Sequence, residues 1–141
     1  MKKLTFHNKK KVPLHRLPFV GGKSKTRLGI NFWNVPASGG YAGGCDTGTA
    51  LAWLWIKHLE EFNSKSCPFT LSSIATDMSG IEDDSIRGQM VGFFSIIETV
   101  FAQMITSHKI HYSKNEKEFL ASANKGLAAS YYQEESENVH S

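Results

Sequence analysis

The sequence predicts an α+β domain in which N-terminal β-strands pack on a bundle of about four α-helices. Three observations predict it: short alternating apolar segments before residue 36, helix-period apolar stripes after residue 46, and a length that suits one core. With 141 residues, 40% hydrophobic and 21% charged, the chain can bury most of the surface its unfolded form would expose. We expect one domain over 1–141: a basic arm or hairpin at 1–27, a globular core at 28–130 and an acidic, frayed tail at 131–141.

The first strands are read from "KLTFHNKKKVPLH". Leu4, Phe6, Val12 and Leu14 flank a lysine-rich tip, and Pro13 demotes the second arm to an edge or irregular strand. "PFVGGKSKTR" is a connector punctuated by Gly21 and Gly22. "RLGINFWNVP" is the strongest strand signal, with Leu28, Ile30 and Phe32 on one face, Trp33 and Val35 on the other, and Pro36 as its end.

Helices follow. One opens at Asp46, Thr47 or Thr49 and runs to about Asn63; Leu51, Ala52, Trp55, Ile56, Leu59 and Phe62 form its core stripe. Trp53 falls on the opposite, charged face with Lys57, Glu60 and Glu61. A short helix starts at Thr70 and closes near Gly80. The central helix spans 83–105, with Asp83, Asp84 and Ser85 at its positive end. Ile86, Met90, Phe93, Phe94, Ile97, Val100, Phe101 and Met104 fill one face, and Gly88, Gly92, Ser95, Thr99 and Ala102 line the other. Two interior glycines cost roughly 2 kcal/mol of helix propensity, so a second helix, a sheet or a partner is expected to approach that face closely. A last helix opens at Ser113 or Asn115 with Glu116 or Glu118, and the S-x-x-E of Ser113 to Glu116 reads as a capping box.

Charge is distributed unevenly. The first 45 residues carry +9 and no acidic residue, while the rest carries −6, so the formal net charge of +3 hides a dipole. Such asymmetry suits a basic arm directed at nucleic acid or an acidic protein surface; it equally suits basic segments that pair with acidic helices of the same fold. The longest uninterrupted apolar run, Ala50 to Ile56, is far below the roughly 20 residues a bilayer span needs. No signal peptide is evident. These features predict a cytoplasmic protein with no membrane partner, and two free thiols at Cys45 and Cys67.

The stretch most like a site is "GGYAGGCDTG", residues 39–48. A glycine-rich loop before a helix N-terminus is a generic anion cradle, but the segment lacks the endings of a phosphate loop and of a dinucleotide fingerprint. Cys45 is a weak nucleophile candidate with His108 or His111 as base; the adjacent Asp46 opposes thiolate formation. The remaining reading is a rigid turn whose glycines let the backbone pass close to a neighbour. His108 and His111 lack a third ligand with matching spacing, so neither a metal nor another cofactor is expected.

"FWNVPASGGYAGGCDTG" together with "RGQMVGFFSIIE" resembles small proteins carried on bacterial integrative elements, plasmids and phages. That resemblance implies a mobile-element context, in which small proteins without enzyme signatures often disable host defence, anti-CRISPR proteins among them. The expected function is a non-enzymatic inhibitor of a host protein or ribonucleoprotein complex. Its contact residues are Lys9, Lys10, Lys11, Arg16, Lys23, Lys25 and Arg27 for steering and Trp33, Tyr41 and Trp53 for anchoring. The alternatives are a nucleic-acid-binding accessory protein using the same cations and a cysteine-dependent enzyme at Cys45.

Overall fold

A computed structural model describes residues 3–7, 13–62 and 70–140. Lys9, Lys10, Lys11 and Cys67 lie outside the described residues. The chain divides into two compact units, residues 1–104 and 105–141.

The expected α+β class is not what forms. The described residues hold four α-helices and no β-strand: α1 (Gly40–Phe62), α2 (Thr70–Met78), α3 (Asp84–Ser107) and α4 (Glu116–His140), preceded by a 3-10 turn at Pro13–Arg16. The second arm of the expected hairpin is that 3-10 turn. The expected strand at 28–35 pairs irregularly with 19–24: Gly21 N–H donates to Asn31 O, Asn31 N–H to Gly22 O, Ser24 N–H to Gly29 O and Asn34 N–H to Phe19 O, at 2.8 to 3.0 Å. Only one isolated bridge, Lys23 with Ile30, results. A ladder fails because side chains capture its backbone groups. Phe32 N–H donates to Asp77 Oδ2 at 2.7 Å and Trp33 N–H to Asn31 Oδ1 at 2.9 Å. Leu28, expected on an inner face, is 98% exposed.

The second difference is the glycine-rich stretch, which is helix and not loop. The chain turns in through Gly39 and Gly40, both at positive φ (94° and 67°), a conformation only glycine adopts without strain. Gly40 N–H donates to Ser85 Oγ at 3.0 Å, and α1 begins six residues before Asp46. Tertiary packing overrides the poor local propensity. A Cβ on Gly44 or Gly48 would overlap the carbonyl oxygen of Ser85 or Gln89; one on Gly88 or Gly92 would overlap that of Tyr41 or Cys45. Two G-x-x-x-G segments, one on each helix, thus press backbone against backbone. Of the α3 face expected to meet a close neighbour, Gly88 and Gly92 meet α1, whereas Ser95, Thr99 and Ala102 are exposed.

Around that crossing the core of the first unit assembles from Leu17, Phe19, Val20, Trp33, Leu51, Ala52, Trp55, Ile74, Met78, Ile86 and Phe93. Phe93 is its centre, with ring centroids 5.3 Å from Trp33, 6.1 Å from Trp55 and 6.4 Å from Phe19. Gln89 of α3 is fully buried and reaches the 33–36 segment; it accepts from Trp33 Nε1 and donates to Pro36 O, both at 2.9 Å. Trp33→Phe is expected to leave the Gln89 carbonyl oxygen without its indole donor and to lower unfolding free energy by about 1–3 kcal/mol, read by urea titration.

Helix starts follow their capping residues. Asp83 Oδ1 accepts from Ser85 N–H at 2.7 Å. The capping box of α4 is Asn115 with Glu118 and not the expected Ser113 with Glu116: Glu118 N–H donates to Asn115 Oδ1 at 2.9 Å and Asn115 N–H to Glu118 Oε1 at 3.4 Å. In the second unit α4 continues to His140, through the tail expected to fray.

Candidate functional site

Two polar clusters and one apolar groove distinguish the first unit. The first cluster is built on Asp77, whose side chain is 1% exposed. Oδ1 accepts from Ser24 Oγ at 2.6 Å and Thr26 Oγ1 at 2.8 Å; Oδ2 accepts from Arg27 Nη2 and Phe32 N–H, both at 2.7 Å. Burial pushes this carboxyl up, but the bonds from Ser24, Phe32, Thr26 and Arg27 outweigh it and hold the group below its ordinary value. Arg27 also donates to Ile30 O at 2.7 Å and stacks 4.8 Å from the Phe32 ring centre. The arrangement staples the 24–32 loop to α2. It saturates the carboxylate, which makes it an anchor and not a reactive group.

The second cluster surrounds a small cavity of about 190 Å³ lined by Phe6, Arg16, Leu17, Leu54, Lys57, His58 and Glu61. Arg16 reaches Glu61 at 3.5 Å, an exposed pair. Burial holds the His58 imidazole below its ordinary value; Glu61 opposes that and Arg16 reinforces it. The cavity is smaller than the roughly 300–1,000 Å³ of ordinary ligand sites.

The groove is larger, about 550 Å³, and lies between the C-terminal halves of α1 and α3. Trp55, Ile56 and Leu59 of α1, Leu71 of α2 and Ile97, Val100, Phe101 and Met104 of α3 line it, with Glu60 as its charged member. It opens where the helices run on past their glycine contact and carry bulky side chains. Phe101 and Met104 are 57% and 55% exposed.

The residues expected to bind a partner divide. Lys23 and Lys25 are exposed, and Tyr41 and Trp53 on α1 are 48% and 46% exposed. Trp33 is 2% exposed, inside the core and unavailable to a partner. Arg27 is held by Asp77, and Arg16 leans on Phe6 and Glu61. The groove was missed by sequence reading, which assigned Ile97, Val100, Phe101 and Met104 to the core. The available signal was that the apolar stripe of α3 runs longer than α2 can cover.

Cys45 sits within α1 at the glycine crossing, in no disulfide, and its backbone packs against Gly88 and Gly92. His108 and His111 lie in the exposed segment after α3 and not on a helix. Among the described residues no group of three or more His, Cys, Asp or Glu side chains could hold a metal. Cys45→Ser is expected to leave function unchanged; loss of function at unaltered stability would restore cysteine chemistry.

Compared with protein families, curated proteins and solved structures, the chain has no match, so no catalytic family is identified.

Proposed function

We propose that this protein is a non-enzymatic binding protein that takes a protein partner on the α1–α3 groove, with Trp53 and Tyr41 as further aromatic contacts. One observation carries the reading: an open apolar groove of about 550 Å³ is bordered by Phe101 and Met104, large side chains left more than half exposed. Apolar surface of this kind on a soluble domain marks an interaction site, and a groove between two helices suits an inserted apolar helix or loop. Lys23 and Lys25, exposed at the start of the stapled loop, would steer an acidic partner. Following the sequence resemblance, the partner class we favour is a host-defence nucleoprotein complex, met by its protein component, and the setting is cytoplasmic.

Affinity capture of the tagged full chain from a bacterial host, with and without nuclease, tests the proposal. A stoichiometric protein partner retained after nuclease is the expected result. Recovery of nuclease-sensitive material alone would point instead to phosphate binding by the N-terminal cations and would overturn it.

A further inference from the structure

The last turn of α3 and the segment after it carry chemistry that the groove does not use. α3 is the one helix among the described residues long and apolar enough, by length and composition, to cross a membrane, and only 11% of its apolar window is buried. This apolarity is spread through Gly, Ser and Gln positions, which is why no uninterrupted apolar run announces it. Spanning is nevertheless a poor use of α3. Its first half is locked to α1 through Gly88 and Gly92, and α1 carries Asp46, Lys57, Glu60 and Glu61 on its open side, charges that a bilayer interior would penalise.

Every described residue from Phe101 to Ala129 is exposed. Within 105–114, Ile105, Ile110 and Tyr112 are interspersed with Lys109 and Lys114 and with His108 and His111; Lys114 Nζ donates to Ser122 Oγ at 3.1 Å, an exposed bond that leaves the ammonium at the surface. No acidic residue occurs between Glu98 and Glu116. None of these side chains lines any cavity described above, so they form no shaped receptor for a folded ligand. Exposed apolar and tyrosine side chains interleaved with lysines are the chemistry of the lipid headgroup region, where the ring and alkyl groups enter the interface and the ammonium groups meet anionic headgroups.

We infer that residues 105–114 dock on an anionic membrane surface, with Ile105, Ile110 and Tyr112 entering the interface and Lys109 and Lys114 held by lipid headgroups. The inference is independent of the groove and of its partner, because it concerns the purified chain and lipid alone.

The test is co-sedimentation of the full chain with phosphatidylcholine vesicles, with or without about 30 mol% phosphatidylserine. The chain is expected to sediment with the anionic vesicles, to stay in solution with the neutral ones, and to be released by about 0.5 M salt, which shortens the screening length. Lys109→Gln with Lys114→Gln should weaken binding about thirtyfold, given the contribution of each lysine near such a surface. Ile110→Ser with Tyr112→Ser should weaken it while keeping the preference for anionic lipid. All four positions are exposed, and circular dichroism verifies that helicity is retained. Absence of binding to either vesicle, equal binding to both, or unchanged binding by the lysine variant would overturn the inference. If the wild type ignores vesicles while the lysine variant loses a captured protein, the segment belongs to a protein partner instead.

Discussion

Asp77→Ala is expected to destabilise the protein by about 3–5 kcal/mol, the cost of removing one member of a buried, hydrogen-bonded ion pair. The substitution strands Arg27 and leaves Ser24, Thr26 and the Phe32 N–H without their common acceptor. Asp77→Asn should recover only part of this, because its amide oxygen can accept from Arg27 and the Phe32 N–H while its NH2 faces the Ser24 and Thr26 hydroxyls, but the charge that pairs with Arg27 is lost. The pH dependence has a definite sign. A carboxyl held below its ordinary value in the folded state contributes stability above the unfolded pKa of about 3.9, and that contribution is lost as pH falls through the folded value. Wild type should therefore lose stability in acid more steeply than Asp77→Asn, whose unfolding free energy, read by urea titration at each pH, should lack this component.

The second large effect concerns the helix crossing. Gly44→Ala and Gly92→Ala should each lower unfolding free energy by about 2 kcal/mol or more. Overpacking of about 1–3 kcal/mol, occasionally more, opposes a gain of about 1 kcal/mol in helix propensity. The upper end applies because the obstructing atoms are backbone: the Ser85 carbonyl against position 44 and the Cys45 carbonyl against position 92. Neither can rotate aside. Gly43→Ala, one residue away with nothing within 4 Å of an added Cβ, should be neutral or stabilising by up to about 1 kcal/mol. Thermal unfolding of the three variants separates the outcomes, and equal midpoints for Gly43→Ala and Gly44→Ala would remove the close approach from the account.

The contrast between those two neighbouring glycines also shows where sequence reading stops. Periodicity identified the core stripe of α1 through Leu51, Ala52 and Trp55, all buried, and capping chemistry placed the starts of α3 and α4 within a residue or two. Gly88 and Gly92 correctly announced a backbone neighbour. Its identity was also written in the chain, as the matching spacing of Gly44 and Gly48, but local propensity hid it. Five glycines within ten residues argue against a helix unless a second backbone stabilises them, and that second backbone lies 41 residues away, at Ser85 for Gly44 and Gln89 for Gly48.

The N-terminal region failed for a related reason. Alternation at 28–35 is genuine, yet the Phe32 N–H that a strand partner would accept goes to Asp77, 45 residues downstream. Trp33 and Trp53 looked alike as partner anchors, since each is an aromatic near charge. Only the packing of Phe93 and the hydrogen bond that Trp33 donates to Gln89 place Trp33 inside, while Trp53 stays at the surface. What the site-like stretch supplies is therefore rigidity: it joins α1 to α3 at one end and leaves their apolar sides open at the other.

The most direct test of that account is partner capture after nuclease treatment by wild type and by the Phe101→Ser, Met104→Ser double variant. Both positions are more than half exposed, so the variant should keep the wild-type unfolding midpoint. The double variant should bind its protein partner about thirtyfold or more weakly, the loss of an interface anchor worth about 2 kcal/mol. Full capture by the folded double variant would contradict the assignment of the groove as the binding site.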